Sequence, residues 1–90
     1  MLQEDFYREV RAFLVAEAES RGRVVAPGAI GEHDNLFDLR VVNSFSMARL
    51  LVHVESLSGT KVDVTTFEPE TFFTLAGMYE ALHSADRQPQ

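Results

Sequence analysis

Residues 21–42 carry no helical period, and this break constrains the fold more than any other feature. On either side of it apolar residues recur at helical spacing, so the chain must fold as helices joined by a long connection. Pro27, Gly28 and Gly31 punctuate the segment, and Val24-Val25 is too brief to make a strand. A connection of this length inside a compact domain is uncommon and tends to be functional. Ile30, Leu36, Phe37 and Leu39 are the apolar residues that would pin it to the helices.

The first helix is predicted over Gln3–Ser20. Phe6, Val10, Phe13, Leu14 and Glu17 fall on one face, Glu4 and Asp5 complement the dipole at its start, and Gly22 is a stop signal. A second helix is predicted over Ser44–Ser58, with Asn43 as N-cap, Met47, Leu50, Leu51, Val54 and Leu57 on the apolar face, and Gly59 as its end. The four residues from Lys61 read as an extended linker. Pro69 suits the first position of a short helix over Pro69–Phe73, held to the core by Phe67 and Phe72. Thr74 would cap a last helix carrying Leu75, Met78, Tyr79 and Leu82. Gly77 within it either costs about 1 kcal/mol relative to Ala or permits a close contact. The expected architecture is all-α: a bundle of three main helices and one short one, with a long anchored loop. It forms one domain over residues 1–90, ordered from about 3 to 83, with a polar tail fraying over 84–90.

Charge and composition remove several function classes. A formal net charge of −6 repels nucleic-acid phosphates, and no apolar run approaches the roughly 20 residues of a membrane span. The acidic, amphipathic N-terminus is unlike a signal peptide, so a cytoplasmic monomer is the expectation. Cysteine is absent, which excludes disulfides and thiolate chemistry. His33, His53 and His83 share no helical face at ligand spacing, so no metal site is expected. His53 lies nine residues beyond Ser44, about 13 Å along a straight helix, too far to act as its base. The carboxylate pairs Glu4 with Asp5, Glu17 with Glu19 and Glu68 with Glu70 suit the surface or helix caps, and Gly22, Gly28 and Gly31 make no phosphate-binding loop. The sequence does not read as an enzyme.

Ser44 is the residue with chemistry to spare. Asn43 already caps the helix, so the Ser44 hydroxyl is not needed there. The backbone N–H groups and dipole of a helix start favour a phosphate. From these residues a resemblance emerges. The run DNLFDLRVVNSF at residues 34–45, followed by an apolar helix, resembles the acyl carrier protein family, whose Asp-Ser-Leu or Asp-Ser-Phe signature bears 4′-phosphopantetheine on its serine. The likeness takes in the first helix, the long loop, Gly59 to Val62 and the Pro-Glu-x-Phe of Pro69 to Phe72, roughly residues 6–82.

The resemblance implies a four-helix carrier bundle with 4′-phosphopantetheine on Ser44, flanked by Asn43 and Phe45. It implies attachment by a phosphopantetheinyl transferase from coenzyme A and magnesium, and an acyl group held as a thioester for synthase modules. Met47, Arg49, Val52, Phe67 and Phe72 would line the arm or the docking face. Two departures from the family pattern stand out: Asn43 where most carriers hold Asp, and a second helix with Arg49 and His53 where many carriers are acidic. Val42-Asn43-Ser44-Phe45 with Met47-Ala48 resembles stand-alone carriers of methoxymalonyl-type extender units, which implies a free-standing carrier in polyketide or other secondary-metabolite assembly. An aminoacyl or peptidyl carrier loaded by a ligase is an alternative within the class, and a cofactor-free helical interaction module is the alternative outside it.

Overall fold

A computed structural model of the chain describes residues 2–59, 61 and 69–87, with backbone alone at 69 and 83–87. The chain order is α1 (Gln3–Ser20), a 3-10 turn (Pro27–Ala29), α2 (Ser44–Ser58), a 3-10 helix (Pro69–Phe73) and α3 (Leu75–Arg87), with no strand among the described residues. The protein is all-α. Phe67 and the linker beyond Lys61 lie outside the described residues, as does the end of the tail. The backbone that the sequence expects to fray from Ser84 continues α3 to Arg87.

Local chemistry ends α1 and α2 and starts α3. Past α1, Gly22 adopts φ 77°, a left-handed conformation that glycine takes without steric cost. Its N–H donates to Glu19 O at 3.0 Å, and Arg23 N–H donates to Ala18 O at 2.9 Å, the paired bonds of a Schellman stop. Gly59, at φ 69°, ends α2 with its N–H on Glu55 O at 2.9 Å. Thr74 Oγ1 caps α3 by accepting from Gly77 N at 3.0 Å.

Helix α1 packs against both α2 and α3, and the 3-10 helix packs on α3. The stripe predicted on α1 is the buried one: Phe6, Val10 and Leu14 are fully enclosed, with Tyr7 and Ala18 beside them. Leu50 and Val54 answer from α2, and Leu75, Met78, Ala81 and Leu82 from α3. Each buried Val, Leu, Phe or Met among them stabilises the fold by about 1.5–3 kcal/mol through removal from water. At one end Phe6, Tyr7 and Tyr79 form an aromatic cluster with centroids 5.5–6.2 Å apart.

Gly77 permits a close contact. A Cβ built there would stand 2.0 Å from the carbonyl oxygen of Thr71, so only a glycine lets the 3-10 helix turn tightly into α3.

Candidate functional site

The loop between α1 and α2 is sewn to both neighbours. Leu36 N–H donates to Phe73 O at 2.8 Å, and Glu32 O accepts from Ala76 N at 3.0 Å, satisfying a donor in the first turn of α3. On the other side Arg11 Nε donates to Ile30 O at 2.8 Å. Apolar anchors reinforce these bonds. Ile30 and Leu36 are buried, Leu39 packs against the core, and the Phe37 and Phe73 rings meet edge-on at 4.8 Å. The four anchors named from sequence are thus in place, and Val41 and Val42 join them as buried residues that periodicity did not flag.

Between Leu36 and Val41 the backbone makes one helix-like turn. Asn35 Oδ1 opens it by accepting from Phe37 N at 2.9 Å and Asp38 N at 3.1 Å, as a cap residue does. It closes with Arg40 N–H on Phe37 O and Val41 N–H on Leu36 O, at 3.1 and 3.2 Å. This is the Schellman pattern again, with Leu36 and Val41 making its apolar contact. Glycine's usual place is taken by Arg40, at φ 60°. Two guanidiniums from beyond the end of α1 reach this turn: Arg21 Nη2 donates to Val41 O at 3.0 Å, and Arg23 Nη1 donates to Arg40 O.

The turn delivers the chain to the start of α2. Asn43 is the N-cap, and it forms a reciprocal capping box with Ser46. Asn43 Oδ1 accepts from Ser46 N at 2.9 Å and from Ser46 Oγ at 2.9 Å, while Ser46 Oγ accepts from Asn43 N at 3.1 Å. Ser46 is buried and completes a cap that sequence reasoning assigned to Asn43 alone. Ser44, the first helical residue, is exposed, and its hydroxyl bonds to none of the described residues. Its amide and that of Phe45 are first-turn donors, which helix geometry leaves without an intrahelical acceptor.

The other site residues divide by burial. Phe45 and Val52, two helical turns apart on one face of α2, are 74% and 66% exposed. Met47 and Phe72 sit in the core at 8% and 4%, so little of either side chain is presented outward. Arg49 Nη1 pairs with Glu17 Oε1 at 2.9 Å, and His53 stacks on Phe13 with centroids 4.8 Å apart. Phe67 lies outside the described residues. Among the described residues no three His, Asp or Glu side chains converge, and no helix is long and apolar enough to cross a membrane.

Compared with protein-family models, curated proteins and solved structures, the chain matches none.

Proposed function

We propose that this protein is a stand-alone acyl carrier, with Ser44 as the attachment point of a 4′-phosphopantetheine arm. The observation that carries the reading is the state of Ser44: an exposed hydroxyl, relieved of capping by Asn43 and Ser46, at the end of a loop tied to two helices. On this reading the three helices and the 3-10 helix Pro69–Phe73 make up the four-helix carrier bundle.

The residues present fit such a group. A phosphodiester on Ser44 Oγ would stand at the positive end of the α2 dipole, near two unsatisfied amide donors. Attachment forms a bond from Ser44 Oγ to the coenzyme A phosphorus that bears the pantetheine unit. The diphosphate bond breaks, adenosine 3′,5′-bisphosphate leaves, and the hydroxyl proton passes to a base of the transferase. When bound, the arm supplies a terminal thiol that holds an acyl group as a thioester. This chain's residues fix the attachment point: Asn43 and Ser46 hold the helix start, and Leu36, Val41 and Val42 hold the approach to it. Phe45 and Val52 would present an apolar docking strip to the loading ligase or transferase and to synthase modules, with Arg49 beside it. The cargo's chemistry lies with those partners, polyketide or other secondary-metabolite assembly being the setting proposed.

The experiment is intact mass after incubation with coenzyme A, magnesium and a promiscuous phosphopantetheinyl transferase. The wild type is expected to gain one phosphopantetheine and Ser44→Ala none, with both variants equally folded. No gain by folded wild type would overturn the carrier reading. A second reading, a cofactor-free interaction module, is favoured by the exposed Phe45 and Val52, and for it Ser44→Ala would leave partner binding unchanged.

A further inference from the structure

The guanidiniums of Arg21 and Arg23 reach the turn that carries Arg40, just before Ser44, and none of the three arginines has an ion-pair partner among the described residues. The chain has 14 acidic residues against 8 Lys and Arg, so carboxylates are in ample supply. Yet the ion pairs among the described residues are Arg8 with Asp5 and Arg49 with Glu17, with His33 Nε2 at 3.4 Å from Glu32 Oε1, and none involves these three arginines. All three are exposed. Two of the guanidiniums are spent on adjacent carbonyls, those of Arg40 and Val41, which fixes them in place but leaves their positive charge whole. Glu19 and Asp38, the acids nearest in sequence, are exposed and form no ion pair with them.

Arg40 sharpens the point. It stands at the left-handed position of a Schellman turn, where a Cβ is penalised and glycine is favoured. Being exposed, its side chain returns nothing in core packing. An exposed arginine that strains its backbone, on a turn already reached by two other arginines, is accounted for by what it presents outward.

We propose that Arg21, Arg23 and Arg40, with the exposed Phe45 at the start of α2, form a docking surface for a partner protein whose contact face is acidic. Charge complementarity argues for that occupant: two guanidiniums held on the turn, the exposed Arg40 of that turn and the exposed Phe45 five residues on fit carboxylates beside an apolar pocket. That the partner is a transferase or synthase rests on the carrier reading, while the surface itself does not.

The test is amide chemical-shift titration of the full chain with acetylated hexaglutamate at low ionic strength. Saturable shifts are expected at residues 21–23 and 39–45, weakening as salt approaches about 0.15 M. The variant Arg21→Gln/Arg23→Gln/Arg40→Gly is expected to bind about tenfold more weakly. Glutamine keeps an N–H for the carbonyls, and Arg40→Gly relieves the turn. Should the triple variant not fold, Arg40→Gly alone decides the matter, at an expected threefold or so. No saturable shift, unchanged affinity in the variants, or the same shifts with inorganic phosphate at matched ionic strength would each overturn the proposal. Because none of these readouts uses Ser44 modification, a failure here is distinct from a failure of the mass experiment.

Discussion

Arg49 Nη1 stands 2.9 Å from Glu17 Oε1, joining α2 to α1, and the two side chains meet water very differently: that of Arg49 is 57% exposed, that of Glu17 only 10%. The carboxylate occupies a place on the α1 stripe that an apolar residue would otherwise fill. Arg49 is thus part of the helix interface as well as a neighbour of the exposed strip.

Removing the arginine should therefore cost more than removing an ordinary surface charge. Arg49→Met leaves the Glu17 carboxylate enclosed without its partner, at an expected loss of about 1–2 kcal/mol, less than for a fully buried pair because one end is wet. Adding Glu17→Gln to Arg49→Met should recover most of it. A double-mutant cycle in urea reads the coupling directly, and full additivity would show that the pair contributes nothing.

Gly77→Ala tests whether local helix preference or tertiary contact decides at the start of α3. Preference alone gives alanine an advantage of about 1 kcal/mol. The Thr71 carbonyl at 2.0 Å from the new Cβ is backbone and cannot swing aside. The net expectation is a loss of about 2–4 kcal/mol, seen as a lower urea midpoint with little change in slope.

Tyr7 carries a pH dependence of known sign. Burial, and then the Glu32 carboxylate, raises its phenol above the ordinary 10.0; Glu80 adds to this, and a hydrogen bond from Gln3 and the charge of Arg11 oppose it. The folded state therefore holds this proton more tightly than the unfolded chain does. The associated stability is present in full below about pH 10 and is lost as pH rises through the folded value. Tyr7→Phe should flatten the alkaline fall in stability. Near neutrality it forfeits only the 3.0 Å bond from Gln3 Nε2, about 0.5–1 kcal/mol. Urea midpoints of both proteins near pH 8 and pH 11 check this.

How much of this could be read from the chain depends on how local each cause is. The bounds of α1 and α2 follow from apolar period and from Gly22 and Gly59, which the backbone uses at positive φ. Met47 falls in register with Leu50 and Val54, and the register puts it in the core, whatever else it was expected to touch. The arginine clamps were not legible, because Arg11, Arg21 and Arg23 bond to carbonyls 19, 20 and 17 residues away and no local pattern encodes that. Ser46 escaped notice because a capping box is usually sought as Glu or Gln at that position. Nor does any sequence rule put an arginine at the left-handed position that Arg40 occupies.

Asn43 is where stability and the proposed function can be separated. Asn43→Ala removes the acceptor for Ser46 N and Ser46 Oγ, and leaves a buried hydroxyl short of a partner, so a loss of about 1–2 kcal/mol is expected. Asn43→Asp keeps an acceptor oxygen in the same place and adds negative charge at the helix start, for an expected gain of about 0.3–1 kcal/mol. Under the carrier reading the aspartate also restores the acid that most carriers show to their transferase. A promiscuous transferase should then modify Asn43→Asp faster than wild type, by about three- to tenfold in kcat/KM, with Asn43→Ala slower than both once folding is matched. The same ranking in stability and in modification rate is expected only if cap and recognition share this side chain. A more stable Asn43→Asp that is modified more slowly would mean that the transferase used reads the amide itself, accepting from its N–H beside Ser44.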